Sequence, residues 1–391
     1  MEATLVLKPG KQEIIKRGHP WVFSGAIQSA GPTCRPGDVV LLCDHQHNPL
    51  ARGFYNPNSD IAFRVLCWNP RVKVDEAFWR AALHRAVRLR EQVVPPATNA
   101  FRLINAEGDH LPGLIVDQYG DILVLTISVL GMEQLRPLLL QWLQEQLKPQ
   151  AIYERSESKG RTREGLPDRC EWVGGHGAER IIINENNVSF QVDPAGGQKT
   201  GFFLDQRDNR RLLGSLCKGL DVLNCFSYSG GFSVYAALGN ALSVTSVEIS
   251  APANELAAAN LRLNQLDTER HPLITADVFE YLRRTDRQYD VIVLDPPAFA
   301  KSQKEVMRAA RGYKDINLQA VKRLKPDGLL LTFSCSNHVD EPLFQKIVLS
   351  AIQDAGRSAQ VLKVLGPGPD HPVLLPHPEG RYLKGLLLRI G

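Results

Sequence analysis

Short apolar runs divided by turn-forming residues open the chain. Val39-Val40-Leu41-Leu42 follows Pro36-Gly37-Asp38, and Ile61-Ala62-Phe63-Arg64-Val65-Leu66 follows Asn56-Pro57-Asn58. Runs of this kind bounded by Pro, Gly and Asn read as strands, and their spacing predicts a small twisted β-barrel over residues 1–72. From residue 74 to about 93 the period changes. Phe78, Ala82, Ala86 and Leu89 recur three or four residues apart with arginines between them, which predicts an amphipathic helix. Strands at 114–117 and 122–125, a hairpin turn at Gln118-Tyr119-Gly120-Asp121 and a helix over about 132–146 continue a middle α+β domain spanning 73–190. Residues 160–177 are rich in glycine and charge and are expected to form a long mobile loop, before a hairpin around Ile181-Ile182-Ile183 and Val188-Ser189-Phe190.

From about Gly219 the pattern alternates again, now β with α. Asp221-Val222-Leu223-Asn224 reads as a strand, a helix follows Gly231, and Ser243-Val244-Thr245-Ser246-Val247-Glu248 is the next strand. A helix carrying Leu256 and Leu261, the apolar strand Val291-Ile292-Val293-Leu294 and a strand over 329–333 complete the series. Continuous apolar strands separated by helices predict an α/β domain over 191–391 built on a parallel, doubly wound sheet.

Composition narrows the class. With 43% hydrophobic and 23% charged residues in 391, the chain resembles ordinary globular proteins of two or three domains rather than disordered or fibrous ones. Neither a secretory leader nor a membrane-length apolar run is visible, so a cytoplasmic location and no membrane partner are expected. The seven cysteines are scattered and never spaced C-x-x-C, which predicts neither a disulfide framework nor a metal site. A net charge of +4 says little by itself, but residues 1–72 hold eight Lys/Arg against five Asp/Glu. Further basic clusters lie at 155–163, 199–211 and 301–314; each reads equally well as a solvated face or as a surface for a polyanion.

In doubly wound sheets the ligand lies beyond the carboxyl ends of the strands. After the first strand comes Asn224-Cys225-Phe226-Ser227-Tyr228-Ser229-Gly230-Gly231-Phe232, which lacks the G-x-G-x-x-G that a pyrophosphate requires. The Gly230-Gly231 pair at a helix start still allows close approach of a ribose and a methionine tail, whose carboxylate its amides can meet. Glu248 ends the second strand, where a carboxylate can accept both ribose hydroxyls. Asp277 in Thr275-Ala276-Asp277-Val278-Phe279 is placed to accept from an adenine amino group, and Asp295-Pro296-Pro297 ends the fourth strand. Each alone also reads as an ordinary capping acid; four on successive β units point to S-adenosylmethionine.

The methyl acceptor is a heteroatom or a ring carbon. Asp295-Pro296-Pro297 suits amino-group methylation, although Ala298-Phe299 follows it rather than a polar residue that would orient a nitrogen. Leu331-Thr332-Phe333-Ser334-Cys335-Ser336 instead delivers a cysteine at a strand end. Thiolate addition to carbon-6 of cytosine turns carbon-5 into an enamine able to take a methyl group, after which the carbon-5 proton leaves and the thiolate is expelled. A thiol of pKa about 8.5 is only about 3% ionised at pH 7, so alignment must supply most of the acceleration. Cys335 as an inert core cysteine is the competing reading, and Cys225 is the rival nucleophile. Asp295 is suited to hold the cytosine amino group or to protonate ring nitrogen 3.

Several motifs then resemble one family. The segment from Gly197-Gln198-Lys199-Thr200-Gly201 to Asp205-Gln206-Arg207, the Asn224 to Phe232 loop, Asp295-Pro296-Pro297, Arg311-Gly312-Tyr313-Lys314-Asp315-Ile316-Asn317 and Thr332-Phe333-Ser334-Cys335-Ser336 are similar to those of the bacterial large-subunit (23S) ribosomal RNA cytosine-C5 methyltransferase I family. His19-Pro20-Trp21-Val22-Phe23-Ser24-Gly25 and Pro378-Glu379-Gly380-Arg381-Tyr382-Leu383-Lys384-Gly385 extend the resemblance over nearly the whole chain. It implies an N-terminal RNA-binding PUA-type β-barrel, a middle α+β domain and a C-terminal Rossmann-like class I methyltransferase domain. It also implies S-adenosylmethionine as cofactor, no metal, and Cys335 as nucleophile with Asp295 beside it. Asn224, Phe226, Ser227, Gly230, Gly231, Glu248, Asp277, Val278, Asp295 and Arg207 fall on the cofactor side. As in the family, no second cysteine accompanies Asp295.

The partner so implied is 23S rRNA rather than DNA, with a homodimer as the assembly to test. Lys8, Lys11, Lys16, Arg17 and His19 in the barrel, and Lys301 and Lys314 near the active site, are the candidate RNA contacts; the competing reading of Lys314 is an exposed helix face. Phosphate contacts would position the strand while one cytosine is extruded toward Cys335. Two other readings stay open: amino-group methylation through Asp295-Pro296-Pro297, and an RNA-binding ribosome assembly factor whose methyltransferase fold is only a scaffold.

Overall fold

The computed structural model describes residues 2–197 and 200–391. Lys199 of the basic run at 199–211, and Gln198 beside it, lie outside the described residues. The chain gathers into two units. One comprises Met1–Ile181, Val192–Phe202 and Pro369–Gly380; the other comprises Ile182–Gln191, Phe203–Gly368 and Arg381–Gly391.

In the first unit, β1 (Thr4–Leu7), β2 (Trp21–Val22), β3 (Ile27–Ala30), β4 (Val39–Cys43), β5 (Pro49–Tyr55) and β6 (Phe63–Cys67) form one sheet, in the order β2-β6-β5-β4-β1-β3. Leu5, Leu7, Val40, Leu42, Phe63 and Val65 alternate inward to form its core. A second sheet has the order β11-β10-β9-β8-β7, from β7 (Ala100–Asn105), β8 (Leu114–Tyr119), β9 (Ile122–Ile127), β10 (Ala151–Ser156) and β11 (Arg169–Gly174). Its helix Glu76–Val93 starts at Asp75, whose carboxylate accepts from the Phe78 amide at 3.1 Å. The buried face differs in part from the expected one: Trp79, Ala82, Leu83, Ala86 and Arg90 point inward, and Phe78 and Leu89 lie at its margin. Arg90 can sit there because Asp109 takes it bidentately at 2.7 and 2.8 Å.

Two further expectations change. The helix expected over 132–146 is two helices, Leu130–Gln134 and Arg136–Leu147, because Pro137 near the start of the second has no N–H to continue the first. The expected loop at 160–177 contains a helix, Lys159–Arg163, and β11. Ser158 caps that helix, and its Arg161, fully buried, donates to the Ile127 carbonyl at 2.7 Å and to Glu133 at 2.8 Å.

A hairpin of β12 (Ile181–Glu185) and β13 (Val188–Val192) follows, as expected. The second unit holds a seven-stranded sheet, in the order β16-β15-β14-β17-β18-β20-β19, made from β14 (Asp221–Cys225), β15 (Ser243–Glu248), β16 (Leu273–Thr275), β17 (Tyr289–Leu294), β18 (Leu324–Ser334), β19 (Ala359–Leu365) and β20 (Lys384–Ile390). β14 to β18 are parallel, and the chain reverses direction across the sheet between β14 and β17. The expectation of a wholly parallel sheet is corrected at one edge, where β20 pairs antiparallel with both β18 and β19. Val222, Leu223, Val291, Ile292, Val293 and Leu294 are buried on both faces of the centre, as helix-covered parallel strands require.

Candidate active site

β14 ends at Asn224 and Cys225, and the chain then bends through Phe226 (φ 59°) and Tyr228 (φ 46°) before Gly230 (φ 78°) opens the helix Gly231–Leu238. Left-handed non-glycine residues each cost about 1–2 kcal/mol and persist only where the surroundings impose them. Here the Ser227 amide donates to the Val247 carbonyl at 3.2 Å, and the Tyr228 amide to Glu248 Oε2 at 2.9 Å. Asn224 Nδ2 donates to Ser233 Oγ at 2.8 Å, and Ser233 in turn bonds Ser246 at 2.7 Å. Asn224 Oδ1, Ser227 Oγ and Ser229 Oγ are buried with no hydrogen-bond partner. Such atoms cost about 1–3 kcal/mol each unless something polar meets them. A Cβ on Gly230 would come within 3.0 Å of Ala257 Cβ. The loop is thus a strained, polar-lined turn at a helix start, and the residues present fit the polar tail of a nucleoside cofactor.

Glu248, 9% exposed at the end of β15, accepts from the Tyr228 and Ser250 amides at 2.9 and 3.0 Å. Asp277, just past β16, is the exposed cap of the helix Val278–Arg284 and accepts from the Glu280 amide at 3.0 Å, while Val278 is buried beneath. Arg207 is fully buried at the start of its helix, with Nε 3.3 Å from Asp208.

Two further loops meet beyond β17 and β18. Asp295-Pro296-Pro297 leaves β17, and Cys335 follows the last residue of β18. The Cys335 thiol donates to the Pro296 carbonyl at 3.8 Å, and the Ala300 amide donates to Ser336 Oγ at 3.2 Å. Ser336 Oγ also lies 2.9 Å from the phenol of Tyr313, whose pKa burial raises. Cys335 is half-buried between fully buried Ser334 and Ser336. Its rival Cys225 is fully buried, and burial drives that thiol far above the ordinary range, which keeps it protonated. Asn224, Phe226, Ser227, Gly230, Gly231, Glu248, Asp277, Val278, Asp295 and Cys335 therefore all lie at or just past the carboxyl ends of parallel strands.

The basic candidates fare unevenly. Lys8 donates to the Gly25 carbonyl at 2.8 Å, Lys16 pairs with Glu13 at 3.3 Å, and His19 Nε2 lies 3.3 Å from Glu379. Lys11 and Arg17 are exposed. Lys301 is exposed, whereas Lys314 is held by Asp354 at 2.7 Å, and the neighbouring Asp315 by Arg283. Sequence reasoning gives Lys384 no role, yet the structure sets it beside Cys335, with Nζ 2.7 Å from the Ser336 carbonyl. Its signal in the sequence is a lone charge opening the apolar run Gly385-Leu386-Leu387-Leu388. Among the described residues no cluster of three His, Cys, Asp or Glu could hold a metal ion. No helix among them is long and apolar enough to cross a membrane.

Known proteins fit this geometry. Residues 119–389 match the family described as S-adenosylmethionine-dependent methyltransferase, and residues 5–68 match a PUA-like domain. A protein described as a methyltransferase complexed with SAH is 25% identical and covers 99% of each chain with a TM-score of 0.85. A second structure, from Streptococcus mutans, gives 0.84 over the same share at 25% identity. Fold, cradle and matches together define an S-adenosylmethionine-dependent methyltransferase with a PUA-like domain. The relative from Tolumonas auensis named ribosomal RNA large subunit methyltransferase I is 43% identical over 100% of both chains; that of Citrobacter koseri, with the same name, is 41% identical over 100% of both. The chain belongs to the ribosomal RNA large subunit methyltransferase I family.

Proposed function

We propose that the chain methylates carbon-5 of one cytosine in 23S rRNA, through a transient covalent bond between Cys335 and carbon-6. The observation that carries this reading is the position of Cys335: half-exposed at the end of β18, against the Asp295-Pro296-Pro297 loop, while the alternative thiol Cys225 is buried and protonated. The names of the full-length relatives support large-subunit ribosomal RNA as the substrate.

Bound S-adenosylmethionine supplies an electrophilic methyl group on a sulfonium. The Asn224 to Gly231 turn holds the methionine tail through Asn224 Oδ1, Ser227 Oγ and Ser229 Oγ, Glu248 accepts from the ribose hydroxyls, and Asp277 with Val278 holds the adenine. Arg207 supports this side from within the core. Asp295 accepts from the exocyclic amino group of the flipped cytosine and orients its ring over Cys335. The thiolate then adds to carbon-6, and carbon-5 becomes the nucleophile. Residues 1–72, with Lys8, Lys11, Lys16, Arg17 and His19, take phosphates of the RNA. Lys301 and Lys314 do so beside the active site, residues 73–190 join the two ends of the chain, and residues 191–391 carry the chemistry.

The test is mass mapping of unmodified large-subunit RNA after incubation with labelled S-adenosylmethionine, wild type against Cys335→Ala. A carbon-5 methyl on one cytosine that the variant fails to make, with cofactor binding retained in calorimetry, is the expected result. Full turnover by the variant would shift the reading to amino-group methylation. Cofactor binding with no methyl on any RNA would favour an assembly role.

A further inference from the structure

Lys384 is among the most unusual polar residues of the second unit. It begins β20 directly across from Ser334 of β18, is 6% exposed, and donates from Nζ to the Ser336 carbonyl at 2.7 Å. The lysine thus spans the backbone on both sides of Cys335, from the residue before it to the residue after. β20 lies tight against β18 here, since a Cβ on Gly385 would fall 2.4 Å from the Phe333 ring. A buried ammonium needs a compensating anion. The groups that act on its charge are Cys335, Asp340 and Glu341. Asp340 is exposed and already caps the helix Glu341–Asp354 through the Leu343 amide at 2.9 Å, and Glu341 lies in that helix's first turn, 3.5 Å from Gln345. Tyr313 reaches the same pair of serines through its phenol, and Asp295 ends the neighbouring strand β17. Of these groups, Cys335 is the one flanked on both sides by residues that Lys384 itself meets, Ser334 across the strands and Ser336 through its carbonyl.

We propose that Lys384 is the positioning residue that takes up the proton of the Cys335 thiol and holds the sulfur as a thiolate. The inference rests on the reading of Cys335 as the nucleophile. In the step, the S–H bond breaks, its electron pair stays on sulfur, and the proton forms a new N–H bond on the neutral lysine amine; no other reactant enters. Burial brings the lysine down to about 8, close to the ordinary range of a thiol, so either group can hold the proton at little cost. A strand that pairs its lysine with the residue before the cysteine, and bonds it to the one after, fixes the two groups without a flexible linker.

The experiment alkylates full-length protein with iodoacetamide from about pH 5.5 to about pH 9.5 and follows the Cys335 peptide by mass spectrometry. Wild type is compared with Lys384→Met and Lys384→Arg, and cofactor calorimetry reports whether each variant is folded. The wild-type midpoint is expected below about 8.5. Lys384→Met should raise it by at least about one unit, slowing the reaction at pH 7 about tenfold, while Lys384→Arg, a permanent cation able to hold the thiolate but not to take up its proton, keeps the midpoint low and lowers turnover. Equal midpoints in wild type and Lys384→Met would overturn the proposal. So would a wild-type midpoint at or above that of a free thiol, a result that needs no variant to fold. Turnover of Cys335→Ala separates the two readings: a variant that keeps turnover removes the nucleophile assignment, while the wild-type midpoint still reports whether Lys384 lowers the thiol, and a dead variant beside an unmoved midpoint removes only the role of Lys384.

Discussion

At the scale of single residues, the turn after β14 is a place where local strain and unmet polarity coincide. Phe226 and Tyr228 adopt left-handed backbone that neither favours, and Gly230 takes the same region at φ 78° with Ala257 closing the space where a side chain would go. Gly230→Ala is therefore expected to lose about 1–2 kcal/mol from backbone conformation alone, before any displacement of Ala257. Urea unfolding read against cofactor calorimetry checks this: the variant should weaken both, because the same turn sets the stability of the helix start and the aim of Ser227 and Ser229. A loss of affinity without loss of stability would mean that the turn relaxes freely and is not over-determined. Lys384 belongs to the same scale. Its lone charge before an apolar run does not say what it meets, since the loop at Cys335 is reached only when β20 lies against β18.

Elements decide which of those residues can meet. The parallel strands are legible from the chain because continuous apolar runs such as Val291-Ile292-Val293-Leu294 have no other stable fate than burial on both faces. For the same reason the acids and glycines after them can be placed at one edge of the sheet. Other parts are not legible. Residues 160–177 look like a charged loop, and become a helix and a strand only because Glu133, distant in sequence, neutralises Arg161 inside the unit. The antiparallel edge escapes sequence reasoning because no element is expected over residues 384–390, and their apolar run resembles those of the parallel strands, so nothing in it marks the reversed direction. The single helix expected over 132–146 is divided only by the missing amide of Pro137. Asp277 shows how an element can mask a site. It caps its helix through the Glu280 amide, so a structural account and a binding account both explain it. Asp277→Ser retains a good cap but shortens the side chain, whereas Asp277→Ala removes both functions. The expected outcome is near-wild-type stability for the serine variant and a loss of about 1 kcal/mol for alanine, with cofactor affinity reduced in both. Equal affinity in all three proteins would leave Asp277 a cap alone.

Across the whole molecule, residues 1–72 carry a net excess of three positive charges, eight Lys/Arg against five Asp/Glu. The basic excess of residues 1–72 is carried in part by lysines already engaged, Lys8 with a carbonyl and Lys16 with Glu13, which leaves the exposed Lys11 and Arg17 as the candidates of that set to test against phosphate. Removing both, as Lys11→Ala with Arg17→Ala, should weaken RNA binding more at low salt than at high salt. The slope of log affinity against log salt should fall by about 1 for each phosphate that is no longer neutralised, as filter binding across a salt series would measure. An unchanged slope would remove those residues from the interface. Cofactor affinity should not move, because the residues proposed to hold the methyl donor all lie in the other unit.

The order of strands in that unit has a consequence for how the protein is made. β20 occupies the slot between β18 and β19, yet it is synthesised after both. Until it arrives, β19 has no neighbour to pair with, and the flank of β18 beside Ser334 stays bare. On the ribosome, at about 5–20 residues per second, the five parallel strands have time to assemble before the last eleven residues, 381–391, complete the unit. The wedge that joins the sheet is also the segment that brings Lys384 to the cysteine. On the proposed roles of Cys335 and Lys384, a nascent chain is thereby kept chemically idle until its sheet is closed, and closing the sheet and arming the thiol become one event.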